Sequence, residues 1–146
     1  MNVEEFSSIV AQIRSSHPVW FGLESDRLAS DEDIRHVEGE LSVRLPPQYV
    51  EFLKRYGGGY FAFTNVFSAD RTSDWYLGRR KSDIALQRGR FLGISDNGVG
   101  DYYGFLIGGE GDAAGLIKFW DHETGRLEDT PYGDLFSYLL TVGLKQ

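Results

Sequence analysis

The order of the sequence patterns predicts an α+β fold in a single domain over residues 1–146. Helical patterns come first, short strand patterns separated by glycine-rich turns follow, and a helical pattern closes the chain. Such segregation is typical of α+β folds rather than of alternating βαβ units. The connections between Phe91 and Trp120 are short enough for hairpins, so we expect helices packed on a largely antiparallel central sheet.

The first two helices are predicted by apolar side chains at helical spacing. The first ends at His17-Pro18, because proline cannot continue a helix, and its apolar face comprises Val3, Phe6, Val10 and Ile13. The second begins after Ser30, a favoured N-cap residue that is followed by three acidic residues suited to the positive helix end. Its apolar face comprises Ile34, Val37 and Leu41.

A third helix follows the Leu45-Pro46-Pro47 corner. Proline disfavours helix before it and suits the first turn of the next helix, so the corner separates the two. Gly57 supplies the left-handed residue that commonly ends a helix. The apolar stripe of this helix comprises Tyr49, Phe52, Leu53 and Tyr56.

The remainder of the chain is predicted to be rich in strands. Residues 19–29 and 68–89 are interpreted as loops, the first with Trp20 and Phe21 against the core and the second with a short helical or strand insert. Strands are expected over residues 60–67, 91–94, 102–107 and 116–120, with turns over 95–100, 108–112 and 121–125. The last helix is expected over residues 134–142.

The core is predicted from the apolar faces of these elements. We expect Trp120 to pack in the core from a central strand, in which alternate side chains point to opposite faces. The other residues expected to be mostly buried are Ile34, Val37, Leu41, Tyr49, Phe52, Leu53, Tyr56, Ile94, Phe105, Ile117, Phe119, Leu135 and Leu139.

Composition limits the classes of function. The chain of 146 residues contains no cysteine and carries a formal charge of −7. It therefore has no disulfide or thiolate chemistry, and its charge argues against nucleic-acid or anionic-membrane binding while favouring a basic partner. The N-terminus lacks the features of a signal peptide, and no apolar run approaches the roughly 20 residues that span a bilayer. We expect a cytoplasmic protein.

Four blocks of the sequence resemble one family. The first is Glu38-x-x-Leu-x-Val-x-Leu-Pro-Pro-x-Tyr-x-x-Phe-Leu-x-x-Tyr-Gly-Gly-Gly59, and the others begin at Phe91, Ile117 and Leu135. In this order they resemble the SUKH superfamily, which contains Smi/Knr-type fungal cell-wall regulators and many bacterial immunity proteins. The resemblance spans roughly residues 30–144 and implies helices packed on a central sheet.

Motifs of catalysis and metal binding do not fit this sequence. The segment from Asp96 to Asp101 has glycines where an EF-hand loop needs oxygen ligands, so a glycine-rich turn is favoured over a metal site. The three glycines after Tyr56 follow a helix, whereas a phosphate-binding loop precedes one. The aromatic and basic residues from Trp75 to Lys81 resemble a single-strand binding surface, but an exposed loop anchored by its aromatics is favoured. We predict no catalytic residue, cofactor or metal.

Acidic residues are concentrated in the predicted turns. Between residues 110 and 134 there are seven acids against Lys118 and Arg126, and loops on a rigid scaffold often carry binding residues. Each acid has an alternative interpretation as part of a solvated rim, and His122 as a turn residue. The candidate partner-binding residues are Asp96, Asp101, Glu110, Asp112, Asp121, His122 and Glu123.

The resemblance implies a non-enzymatic immunity protein that binds and inactivates a toxin domain, often a nuclease, by occluding its active site. Acidic turns would then mimic the phosphates held by a basic cleft. One alternative is a regulatory scaffold of the Smi/Knr type, and another is a hydrolase that uses His122. An apolar interface through Trp20, Phe21, Trp75 and Tyr76 is the alternative to phosphate mimicry.

Overall fold

A computed structural model of the chain describes residues 1–80, 90–107 and 115–146. Three helices come first: α1 (Val3–Ser16), α2 (Asp31–Leu41) and α3 (Pro47–Tyr56). Asn2 and Ser30 each form a capping box at the start of α1 and α2, which satisfies backbone N–H groups that have no partner inside the helix. Gly57 ends α3 with a φ of 82°. All three helices confirm the predictions from hydrophobic spacing and capping.

The strands form two antiparallel sheets. β1 (Gly59–Phe61) and β2 (Thr64–Val66) make a hairpin. β3 (Phe91–Asp96), β4 (Tyr102–Leu106), β5 (Lys118–Asp121) and β6 (Arg126–Asp129) make the central sheet in that order. The N–H of Phe67 donates to the carbonyl of Ile94 at 2.8 Å, which ties the hairpin to the edge of the central sheet. The α+β class is therefore confirmed.

The closing segment is helical and packs on the sheet. α4 (Leu135–Tyr138) continues as a π-helix over Leu139–Gly143. Short 3₁₀ turns over Pro18–Phe21 and Leu77–Arg80 lie in the two segments predicted as loops. Trp20 and Phe21 are half-buried and pack against the core, as predicted.

Several strand boundaries differ from the predictions. The expected strand over residues 60–67 is a hairpin, because Ala62 adopts a φ of 50° and reverses the chain. β6 was not predicted, since Leu127 is its only apolar residue; its backbone pairing to β5 defines it. The expected turn at residue 95 begins two residues later, because β3 stays paired to β4 as far as Asp96 and Tyr102, beyond a register shift between Gly93 and Ser95.

The core confirms most of the predicted buried residues. All are buried except Tyr56 and Phe119, which are half-buried. The expectation that Trp120 packs in the core is wrong: Trp120 is half-buried and lies outside the core cluster. Ile117, at 1% exposure, belongs to the core, and the alternation of β5 then directs Trp120 to the opposite face.

Candidate partner-binding site

Two hairpin turns lie at the same edge of the central sheet. β3 and β5 run in the same direction, because each is antiparallel to β4, so the turns that follow them emerge side by side. Asp96 and Asp101 flank the first turn, and Asp121, His122 and Glu123 begin the second. We name these five residues the acidic edge. Sheet pairing thus brings together two groups of candidate residues that lie about 20 positions apart in the sequence.

Asp101 connects the two turns through its carboxylate. Oδ1 accepts the backbone N–H of His122 at 3.0 Å and lies 2.6 Å from Nδ1 of the same residue. Oδ2 accepts a hydrogen bond from Nδ2 of Asn97 at 2.9 Å. Two of these three contacts cross from one hairpin to the other, so the carboxylate fixes the relative position of the turns.

These contacts perturb both ionisable groups. Hydrogen bonds from the Asn97 side chain and from the amide and ring of His122 lower the pKa of Asp101 to about 2. The hydrogen bond to Asp101 raises the pKa of His122, and the charges of Asp101, Glu123 and Asp121 act in the same direction. Asp101 therefore stays ionised at all physiological pH values, and protonation of His122 is favoured.

Asp96 is fixed separately, on the side of the β1–β2 hairpin. Its Oδ1 accepts hydrogen bonds from Nδ2 of Asn65 at 3.2 Å and from the N–H of Gly98 at 3.1 Å. Its own N–H donates to Oδ1 of Asn65 at 3.1 Å. Asp96 pairs with Tyr102, and Tyr102 pairs with Trp120, the residue before Asp121. Asp96 and Trp120 therefore lie two strands apart, a distance of about 10 Å.

The remaining members of the acidic edge are held by their own turn. The N–H of Glu123 donates to Oδ1 of Asp121 at 2.9 Å, and the Glu123 side chain is exposed. Glu110 and Asp112, the other two predicted partner-binding residues, lie outside the described residues. Five of the seven candidates are therefore placed at one edge, and their role in partner binding stays a prediction.

One grouping across the turns corresponds to no motif in the sequence. Ligand atoms of Asp101, Asp121 and His122 lie within 4.8 Å of one another, a spacing that a metal ion can use. The carboxylate of Asp101 is, however, already hydrogen-bonded to three donors within the fold. The grouping by itself therefore does not assign a metal site.

The pair of His122 and Asp101 also has the geometry of the base and orienting acid of a catalytic triad. A triad needs in addition a nucleophile within hydrogen-bond reach of the imidazole. Among the described residues no hydroxyl group hydrogen-bonds to His122, and the chain contains no cysteine. The arrangement is suited to presenting fixed charges to another molecule.

The aromatic and basic segment after Asp70 is used inside the fold. Tyr76 is buried, and the guanidinium of Arg80 lies 4.8 Å from the ring centroid of Phe67 and 5.9 Å from that of Trp75. Arg79 donates to the backbone carbonyls of Ser73 and Arg71. Tyr76 is thus unavailable for the apolar interface considered above, and both arginines stabilise their own loop. Lys81 lies outside the described residues.

An apolar groove lies beside Asp96, and no pattern in the sequence predicts it. It has a volume of about 550 Å³ and lies between the β1–β2 hairpin and the turn after β3. We name it the hairpin groove; its lining includes Leu23, Tyr60, Phe63, Trp75, Asp96 and Tyr103. The prediction of one strand over residues 60–67 leaves no turn at Phe63. A run of aromatics is compatible with either structure, so only the fold could reveal the groove.

Comparisons with known proteins support the fold and the resemblance. No helix within the described ranges is long and apolar enough to cross a membrane. A search of curated proteins finds no match. A solved structure of a protein from Pseudomonas syringae pv. tomato is similar, with a TM-score of 0.67 and 17% identity over 84% of this chain and 88% of that chain. The family model described as SMI1-KNR4 cell-wall matches residues 31–139, and the chain therefore belongs to the SUKH (SMI1-KNR4) family.

Proposed function

We propose that this protein is a non-enzymatic immunity protein of the cytoplasm, which binds a toxin domain and inactivates it by covering its active site. Membership of the SUKH family supports a protein of this type. The acidic edge supports a basic partner, because its carboxylates are held in place before binding. The partner that best matches this chemistry is a nuclease, whose cleft is built to hold phosphates.

The observation that carries this proposal is the contact of Asp101 with His122 across the two turns. Preorganised charges lose little freedom on binding, so they contribute more to association than charges on flexible chains. Complementary charges also steer encounter, and salt screens that steering over about 10 Å at 0.1 M. We expect affinity itself to depend on a few buried anchors rather than on total contact area.

A regulatory scaffold of the Smi/Knr type is a second candidate. It is favoured by the description of the matching family model, which refers to the cell wall. A scaffold would bind its partner without abolishing an activity, whereas an immunity protein must abolish one. The two candidates are therefore separated by what happens to the captured partner.

The test is capture followed by an activity assay. The tagged protein is used as bait in cells that carry its gene, and the captured protein is purified and incubated with plasmid DNA or with total RNA. The proposal predicts a captured protein that degrades one of these substrates and loses that activity on addition of one equivalent of the immunity protein. A partner whose activity and toxicity are unchanged by saturating amounts of this protein would refute the proposal.

A single variant separates binding from catalysis. Because His122 belongs to the acidic edge, His122→Ala is expected to weaken protection only through weaker binding of the partner. A turnover activity that disappears in His122→Ala while the fold is unchanged would instead establish the hydrolase alternative.

A further inference from the structure

Exposed apolar side chains are concentrated around the hairpin groove. Leu23, Tyr60 and Phe63 line the groove and are 60%, 43% and 52% exposed. Val99, in the turn after β3 next to the lining residue Gly98, is 65% exposed. Isolated exposed apolar residues are ordinary, but a contiguous apolar surface around a concave site is typical of a binding surface.

The walls of the groove are held by aromatic contacts. Tyr60 packs edge-on against Trp75 with ring centroids 5.4 Å apart, and Phe63 lies 5.1 Å from Trp20. The N–H of Phe63 donates to the carbonyl of Gly143 at 3.0 Å, which fixes the tip of the β1–β2 hairpin to the closing helix. The shape of the groove therefore exists before any partner binds.

Two hydroxyl groups of the groove lining, those of Thr64 and Tyr138, contact the buried hydroxyl group of Ser95. The hydroxyl oxygens of Ser95 and Tyr138 lie 2.8 Å apart, and those of Thr64 and Ser95 lie 3.4 Å apart. Because Thr64 and Tyr138 each already have this partner, an occupant gains little from a polar group directed at either hydroxyl group. The apolar walls favour an aliphatic or aromatic side chain instead.

The charge beside the groove indicates which kind of residue should flank the apolar side chain of the occupant. Asp96 is the one charged residue among the described residues that line the groove. Its Oδ1 is hydrogen-bonded within the fold, whereas Oδ2 accepts no hydrogen bond from the described part of the chain. Nζ of Lys145 lies 5.5 Å from the ring centroid of Phe63, but Lys145 is not among the residues that line the groove. A cation on the occupant is therefore favoured beside Asp96.

We propose that the hairpin groove binds a protein segment in which one bulky apolar residue is followed or preceded by lysine or arginine. The apolar side chain fills the space between Tyr60 and Phe63, and the cation pairs with Oδ2 of Asp96. This inference rests on the proposed function and deepens it: the acidic edge attracts a basic partner, and the groove beside it holds the anchoring residue. The lifetime of the complex then depends on the groove, and the rate of encounter with the partner depends on the acidic edge.

The test uses three short peptides of known sequence and does not require the toxin. Their acetylated cores are Lys-Leu-Lys, Lys-Ser-Lys and Glu-Leu-Glu, and binding to the ¹⁵N-labelled full chain is followed by NMR. The first peptide is expected to bind saturably, with shifts at the amides of Phe63 and Gly98 and at the Trp75 indole. Loss of the leucine is expected to weaken binding roughly tenfold or more, and reversal of the charges should also weaken it.

Variants of the protein provide the matching evidence. Phe63→Ser and Tyr60→Ser each remove an exposed apolar wall and are expected to weaken Lys-Leu-Lys binding several-fold. Asp96→Asn should weaken the binding of Lys-Leu-Lys, and should reduce the salt dependence of that binding. Leu28→Ser removes an exposed apolar residue that does not line the groove, and it is the matched control that should bind as wild type does.

The outcomes separate this inference from the proposed function. Absence of saturable binding, equal affinity for Lys-Leu-Lys and Lys-Ser-Lys, or shifts confined to other surfaces would each overturn the groove proposal while leaving the immunity role standing. Peptide binding at the groove by a chain that inactivates no captured partner would support the groove and refute the immunity role. Thermal unfolding of each variant confirms that the comparison is made between folded proteins.

Discussion

Nδ1 of His122 lies 2.6 Å from Oδ1 of Asp101, although the two residues are 21 positions apart. The same oxygen accepts the backbone N–H of His122, so both the ring and the main chain of the second turn are held by one carboxylate. This contact sets the geometry of the acidic edge, and its effect on titration can be measured directly.

Asp101→Asn is expected to lower the pKa of His122 towards the value of a free histidine, about 6.5. The variant removes the hydrogen bond and the nearest negative charge that favour the imidazolium. NMR titration of the His122 ring protons measures the shift. Asp121→Asn is the control: its charge acts on His122 only through space, so the decrease should be smaller. An equal or larger decrease in the control would contradict the assignment of Asp101 as the main partner.

The same pair predicts how stability varies with pH. The folded pKa of His122 is raised, so its contribution is fully present below about pH 6.5 and is lost as pH rises through the folded value. The folded pKa of Asp101 is about 2, so its contribution is present above the unfolded value of about 3.9 and is lost as pH falls through about 2. Urea unfolding should therefore show the largest difference between wild type and Asp101→Asn between these limits.

Phe52→Ala is expected to destabilise the protein by about 3–5 kcal/mol. Phe52 is fully buried in α3 and contacts the rings of Phe6, Tyr56 and Phe61, so truncation leaves a cavity in the main core. Denaturant unfolding measures the loss. Phe63→Ala is the matched control, since Phe63 is 52% exposed, and it should cost far less. A cost below about 1 kcal/mol for Phe52→Ala would contradict its place in the core.

Gly57→Ala and Gly39→Ala are expected to have opposite effects on stability. Gly57 has a φ of 82°, and a Cβ there would lie 2.1 Å from the carbonyl oxygen of Asp26, so alanine should cost more than about 2 kcal/mol. A Cβ at Gly39, inside α2, meets no atom within 4 Å, and alanine should stabilise the helix by up to about 1 kcal/mol. Thermal unfolding of the two variants tests this; a destabilising Gly39→Ala would contradict it.

Neutralising the acidic edge is expected to slow association with the partner. The double variant Asp121→Asn/Glu123→Gln should lower the association rate and flatten its salt dependence, and adding Glu110→Gln and Asp112→Asn should extend the effect. Stability should change little, because Asn and Gln keep a carbonyl oxygen that can accept the same hydrogen bonds, and charges near the surface contribute little to folding. Stopped-flow or surface-based kinetics at two salt concentrations measure the rates.

The matched control for this experiment is Glu32→Gln/Glu51→Gln, which changes the net charge equally on α2 and α3. It should slow association less than the variant of the acidic edge does. An acidic partner, or an association rate indifferent to salt and to the substitutions, would eliminate phosphate mimicry. The apolar hairpin groove would then be the better account of binding.

The sequence by itself determined the helices, most of the core and the family. Capping residues, the proline corner and Gly57 act on neighbouring backbone, so their effects can be deduced locally. The apolar faces of α2 and α3 likewise depend only on spacing within one helix. These features predicted the order of elements and the burial of residues such as Phe52 and Leu53.

Only the tertiary structure decided how the site is assembled. Strand order places the turns after β3 and β5 together, and this adjacency depends on hydrogen bonds between segments far apart in the chain. The same pairing defines β6, which has almost no apolar pattern. Packing of Ile117 into the core leaves Trp120 on the opposite face. The hairpin groove arises because the β1–β2 turn packs beside Asp96. A pattern within one segment cannot reveal such contacts, because they depend on which two segments meet and not on the composition of either segment.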